Sequence, residues 1–135
     1  VELLSPFYGN VRKELTKMPK VYFNDNGLRN ALLNNFNNLN DRADKGALVE
    51  NYVYNRLRTI YGQNNLHFWR TADGNEVDFV VQQPENKGLA YEVKYNDVQF
   101  KPNKYKKFTQ AYPDYGFSCI SKVADNGSTK EVIRL

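Results

Sequence analysis

Glu76-Val77-Asp78-Phe79-Val80-Val81 and, a little further on, Tyr91-Glu92-Val93-Lys94-Tyr95 decide how this chain folds. Each is a short run of β-branched and aromatic residues, of strand length, with acidic groups set inside it. Side chains alternate across a strand, so Asp78 is expected to share a face with Glu76 and Val80, and Glu92 and Lys94 to share one with Ala90. Pairing the two strands through a loop at 84–88 brings Asp78, Glu92 and Lys94 together. Two carboxylates and an ammonium at one spot cost too much desolvation to serve as core filling. They suit a divalent cation and a reaction at phosphate.

Upstream, the spacing predicts a helix over 44–61, closed by Gly62. At about 100° per residue, Ala47, Val53, Tyr54, Leu57 and Ile60 fall on one side. Glu50 lands inside that apolar arc. A glutamate there either sits at the rim with its head in water or is aimed at something charged; the acids downstream favour the second reading. Strand-like runs follow at 66–71, 76–82 and 89–95, the first two joined by the turn Asp73-Gly74-Asn75. A basic segment from Lys101 to Lys107 leads into a helix ending before Pro113, then come a strand at 115–121 and a short last one at 131–135. The order is helix, three strands, helix, strand: an α/β fold, with a mixed sheet flanked by helices.

The chain divides near residue 40. Residues 1–20 carry Pro6, Gly9 and Pro19 and read as an extended lead-in, followed by a short strand at 20–23. Asp25-Asn26-Gly27 makes a turn, and Asp25 is placed to cap a helix through Leu28, Ala31, Leu32 and Leu33. The asparagine-rich stretch 34–40 breaks that helix and is the linker candidate. The reading is therefore a lead-in at 1–40 and a main domain at 41–135.

Composition sets outer bounds. The 135 residues suffice for one domain with a real core, at 41% apolar, 14% aromatic and 25% charged. A net charge of +4 permits a nucleic-acid partner without requiring one. The single Cys119 excludes an internal disulfide or a multi-cysteine zinc site, and the lone His67 excludes a histidine-rich metal cluster. No apolar run is long enough to span a bilayer and no signal-peptide pattern is present, so no membrane partner and a cytoplasmic setting are expected. The start at Val1, apparently mid-element, suggests a piece of a longer protein. Nothing in the sequence speaks to oligomeric state.

The order of elements, with Glu50 on a helix, Asp78 on the second strand and Glu92-Val93-Lys94 on the third, resembles the PD-(D/E)XK nuclease superfamily and its restriction-endonuclease-like core. The spelling is closer to one branch. The stretch from Lys20 through Tyr22-Phe23-Asn24-Asp25-Asn26-Gly27-Leu28-Arg29-Asn30, then Gly46-Ala47-Leu48-Val49-Glu50-Asn51, then Phe68-Trp69-Arg70-Thr71 and Glu76-Val77-Asp78-Phe79, resembles the DUF4143 domain. That domain typically sits at the C-terminus of prokaryotic AAA-type P-loop ATPases, behind a winged-helix segment. The resemblance implies that Asp78 and Glu92 ligate Mg²⁺ or Mn²⁺, that Glu50 completes the coordination from the helix, and that Lys94 orients the attacking water and stabilises charge on the phosphate. Val77 stands where proline gives the motif its name, a departure that leaves every polar group in place. No Gly-rich loop ending in Gly-Lys-Ser/Thr occurs, so ATP and any ATPase activity would belong to polypeptide outside this chain.

Other residues carry less. Glu76 reads as a solvated strand start or an outer partner of the acids, and Arg70 as a phosphate contact or a structural ion pair. Gln110 and Tyr112 are similar to a Gln/Tyr element of some nucleases in the superfamily. The lysines between Lys101 and Lys107 either touch a nucleic-acid backbone or form a solvated face. Cys119 and His67 read as ordinary strand residues, and Tyr52, Tyr54 and Tyr61 as packing. Two functions follow as expectations: a metal-dependent nuclease domain acting on DNA, less readily RNA, beside a fused ATPase, or a non-catalytic module that keeps the nuclease scaffold for partner binding and assembly.

Overall fold

The computed structural model describes residues 1–23, 45–123 and 132–134, so the turn, helix and linker read at 25–40 lie outside the described residues. Helix α1 (Lys45–Tyr61) ends at Gly62, whose positive φ of 85° glycine adopts without the penalty a side chain would bring. Its buried face is Val49, Val53, Tyr54 and Leu57. Ala47 and Ile60, expected on that face, are exposed. They occupy the first and last turns, and a helical projection carries no information on which turns the sheet underlies.

The sheet is built from β1 (Glu2–Leu4) and β2 (Lys20–Tyr22) as one antiparallel pair, and from five further strands as a second unit. These are β3 (Leu66–Arg70), β4 (Glu76–Gln83), β5 (Lys87–Asn96), β6 (Tyr115–Val123) and β7 (Val132–Arg134), hydrogen-bonded in that order among the described residues. The first three run antiparallel; β5–β6 and β6–β7 run parallel. A parallel pair needs a crossover, and between β5 and β6 it carries the 3-10 turns Asp97–Gln99 and Pro102–Tyr105 and helix α2 (Lys106–Ala111). The apolar core lies in two clusters. One joins α1 to Leu66, Phe68, Phe79, Val81, Tyr91 and Val93; the other joins α2, through Phe108, to Trp69, Val77, Val80, Ala90 and Cys119. The fold is a mixed α/β domain.

The β3–β4 pairing is irregular where it matters. His67 pairs with Val80 and Trp69 with Val77, so two residues of β4, Asp78 and Phe79, stand against Phe68 alone. A bulge of this kind breaks the alternation of side chains and re-aims them. Val77 and Val80 accordingly join the same cluster, while Phe79 joins the one under α1. The simple alternation expected from the sequence, with Asp78, Glu76 and Val80 on one face, does not hold across this point. No glycine marks the bulge, so the sequence gives no local sign of it.

The lead-in is more than an extended tail. β1 was not anticipated, and Phe7 N–H donates to Phe68 O at 2.7 Å while Leu15 N–H donates to Arg70 O at 2.8 Å, covering the outer edge of β3. Leu4 and Tyr22 enter the α1 cluster, and Tyr22 stacks on Tyr54 with ring centroids 4.4 Å apart. Glu14 fastens the segment: one carboxylate oxygen accepts from the N–H groups of Gly9, Asn10 and Val11 at 2.7–3.0 Å, and the other from the Trp69 indole and the Tyr112 hydroxyl.

Candidate active site

The acids meet where β4 and β5 separate. The ladder runs Gln83–Lys87, Gln82–Gly88, Val81–Leu89, Val80–Ala90 and Phe79–Tyr91, then stops. One step further, the side chains take over from the carbonyls. Asp78 Oδ2 accepts from Val93 N–H at 2.8 Å, and Glu92 Oε1 accepts from Asp78 N–H at 3.3 Å. Each carboxylate thus holds the opposite strand by its backbone and fixes the width of the fork. Asp78 and Glu92 are 8% and 5% exposed, which makes them among the few buried charged residues of those described. Lys94, two residues on from Glu92, places its Nζ 3.3 Å from Glu92 Oε2.

Burial and mutual repulsion set the electrostatics. Burial pushes the Asp78 carboxyl well above the usual range, and the charges of Glu92 and Glu50 push it the same way; the Val93 N–H and the Lys20 ammonium oppose. Burial also raises Glu92, partly offset by Lys94 and by hydrogen bonds with Asp78 and Tyr105. The two carboxyls titrate as one coupled pair. Burial, then the nearby Glu92, holds the Tyr105 phenol far above its ordinary value, so it stays a donor to that carboxylate.

Glu50 comes from α1 and is engaged from the other side. Its Oε2 accepts from the Tyr22 hydroxyl at 2.7 Å and lies 3.3 Å from Lys20 Nζ. Lys20 also sits over the rings of Tyr22 and Phe68, 5.7 and 5.5 Å from their centroids. The structure therefore joins Asp78 to Glu92 and Glu92 to Lys94, and places Glu50 where its charge acts on Asp78. Among the described residues, no three acids, histidines or cysteines converge closely enough to form a ready-made metal cage. The donor set still fits a hard divalent ion: every donor is a carboxylate oxygen, and a cation would offset the burial and the repulsion that together raise Asp78.

Sequence reasoning missed Lys20, Tyr22 and Tyr105. Lys20 and Tyr22 are two apart on β2 and so share a face, a signal that was present, but 28 residues and the whole 24–44 stretch separate Tyr22 from Glu50. The lesser candidates occupy these places. Arg70 pairs with Glu76 at 3.0 Å and Lys107 with Asp73 at 2.8 Å. Tyr112 serves the Glu14 network, Gln110 is exposed and Cys119 is fully buried in the core. A cavity of about 520 Å³ under the lead-in, next to His67 and Gln82, is lined by none of the acids.

A mixed α/β domain with a buried carboxylate pair and a lysine at a strand fork is the class these features define. The family described as Domain of unknown function (DUF4143) matches residues 45–132, and the chain belongs to it. A second family, Domain of unknown function (DUF8612), matches residues 1–39. The chain is 34% identical over 84 residues to an uncharacterized protein of Mycobacterium tuberculosis and, equally, to one of Mycobacterium bovis. In both cases the matched stretch covers 61% of this chain but 19% of the relative, so the chain spans about a fifth of the length of these curated proteins. No solved structure matches.

Proposed function

We propose that this chain is a metal-dependent phosphodiesterase domain of the PD-(D/E)XK kind, cutting DNA, and that it works within a longer cytoplasmic protein beside an AAA-type ATPase. The observation that carries the reading is the fork: two buried carboxylates that each grip the opposite strand, with an ammonium 3.3 Å from one of them. Such a cluster stores charge repulsion that a purely structural strand pair has no reason to keep.

In this reading Asp78 and Glu92 hold Mg²⁺ or Mn²⁺, with Glu50 reaching in from α1. The bound ion would supply polarisation of the phosphoryl oxygen and a more acidic water. Lys94 orients the attacking water and meets negative charge as it develops on the phosphate. Tyr105 and the Asp78 backbone N–H hold the Glu92 carboxylate in place. Nicking of supercoiled plasmid and cleavage of single-stranded DNA in Mg²⁺ or Mn²⁺ test this directly. Asp78→Asn and Lys94→Ala should each lower the rate by at least about 10²-fold, and wild-type protein that binds metal yet cuts neither substrate would overturn it.

One observation favours a non-catalytic module. Every acid of the site has a partner within the chain: backbone N–H groups for Asp78 and Glu92, Lys20 and Tyr22 for Glu50. A module of this kind would bind its nucleic acid or protein partner equally well with Asp78→Asn and without added metal.

A further inference from the structure

The Lys20–Glu50 pair has a geometry that a metal-binding site would have to undo. Glu50 Oε2 is shared by the Lys20 ammonium, 3.3 Å away, and by the Tyr22 hydroxyl at 2.7 Å. Lys20 is not a stray surface lysine. Its side chain is 20% exposed, it lies over two aromatic faces, and its charge is felt at Asp78. It is thus the cation that β2 supplies beside Glu50 and Asp78, two carboxylates that repel each other, and among the described residues the acids do not close on a common point.

We infer that Lys20 is a resident counter-ion of the cleft, standing in for the divalent ion at Glu50 and displaced when that ion binds. The inference rests on the reading that the cleft takes a divalent cation. An ammonium and a divalent ion compete for the same carboxylate, and their mutual repulsion in a half-buried site disfavours joint occupancy. The β1–β2 hairpin therefore sets the metal affinity of a site whose other residues lie on α1, β4 and β5. A Lys20 freed from Glu50 remains beside the cleft, tethered to β2, where a substrate phosphate would be its next partner.

Manganese binding by the full 135-residue chain, followed by isothermal titration calorimetry, tests this. Lys20→Met keeps an apolar stem over Tyr22 and Phe68 and removes the charge; it should tighten Mn²⁺ on the order of tenfold, within the roughly 5- to 150-fold span of coupled sites. Lys20→Gln, which keeps a hydrogen-bond donor for Glu50, should tighten it in the same direction and serves if the methionine variant folds poorly. Equal or weaker binding by both variants, with wild-type binding intact and lost in Asp78→Asn, would overturn the counter-ion role and leave the metal site standing. Absence of binding in the wild type and in both variants would overturn the two readings together.

Discussion

At Asp78 a single side chain carries opposing demands. Its carboxylate is buried, accepts from Val93 N–H, and is repelled by Glu92 and Glu50. Replacing it with asparagine keeps an acceptor for Val93 and removes both the buried charge and the repulsion, so metal-free Asp78→Asn should be more stable than wild type by about 1 kcal/mol or more, the scale of one unit of relieved pKa shift, read from urea unfolding. Loss of stability instead would show that the charge is needed for folding. Glu14 presents the reverse case. Partial burial would raise its carboxyl, but the donors Tyr112, Val11, Trp69 and Gly9 outweigh that and hold it below the ordinary value of 4.5. A folded-state value below the unfolded one means the group stabilises the fold above pH 4.5 and loses that contribution as pH falls through its depressed value. Glu14→Gln should cost about 2 kcal/mol at pH 7, on the scale of hydrogen bonds to a charged group, and should flatten the acid limb of the stability–pH curve. An unchanged acid limb would contradict the assignment.

The strand fork is a property of β4 and β5 together, and the close packing at the other end of their ladder holds it. Gly88 pairs with Gln82 and Tyr115; a Cβ there would lie 2.1 Å from Val81 O and 2.6 Å from the Tyr115 ring. Backbone cannot yield as a flexible side chain can, so Gly88→Ala should destabilise by about 1–3 kcal/mol or more, as overpacking does. A denaturation midpoint equal to wild type would show that the strands relax. At this scale the sequence was most legible. The runs at 66–71, 76–82, 89–95 and 115–121 became β3, β4, β5 and β6 with ends shifted by one or two residues, because strand length, β-branching and turn residues are local signals. The bulge at Asp78–Phe79 was not legible, since register depends on what the neighbouring strand offers rather than on the strand's own spelling. Nor was β1, a three-residue strand whose pairing partner lies some eighteen residues away.

Across the whole molecule, residues 1–23 and 45–123 share their cores. Leu4 and Tyr22 complete the cluster beneath α1, Phe7 that beneath α2, and Asn51 brackets the Phe23 backbone with hydrogen bonds of 2.9 and 2.8 Å. Tyr22→Ala should therefore cost about 3–5 kcal/mol, the range for a buried aromatic truncated in a core, and a chain starting at residue 45 should lose cooperative urea unfolding. Cooperative unfolding of that shorter chain would show that the lead-in only decorates the domain. The same arrangement explains how much of the site could be read in advance. Asp78, Glu92 and Lys94 lie within seventeen residues on one hairpin, so pairing two strands was enough to unite them. Glu50 needed the helix to lie over the sheet, and Lys20 and Tyr22 needed β2 to lie beside that helix, a contact across a sequence separation no periodicity reports.

The proposed function requires that the fork between β4 and β5 hold a divalent cation. Crystals of the wild-type chain soaked in Mn²⁺ and measured at the manganese absorption edge put it to the test. A metal-binding fork gives an anomalous peak between the carboxylates of Asp78 and Glu92, with Glu50 turned toward it and the peak gone in Asp78→Asn. An empty fork at saturating Mn²⁺, with Asp78 and Glu92 still bonded to the opposite strand's backbone, would contradict it.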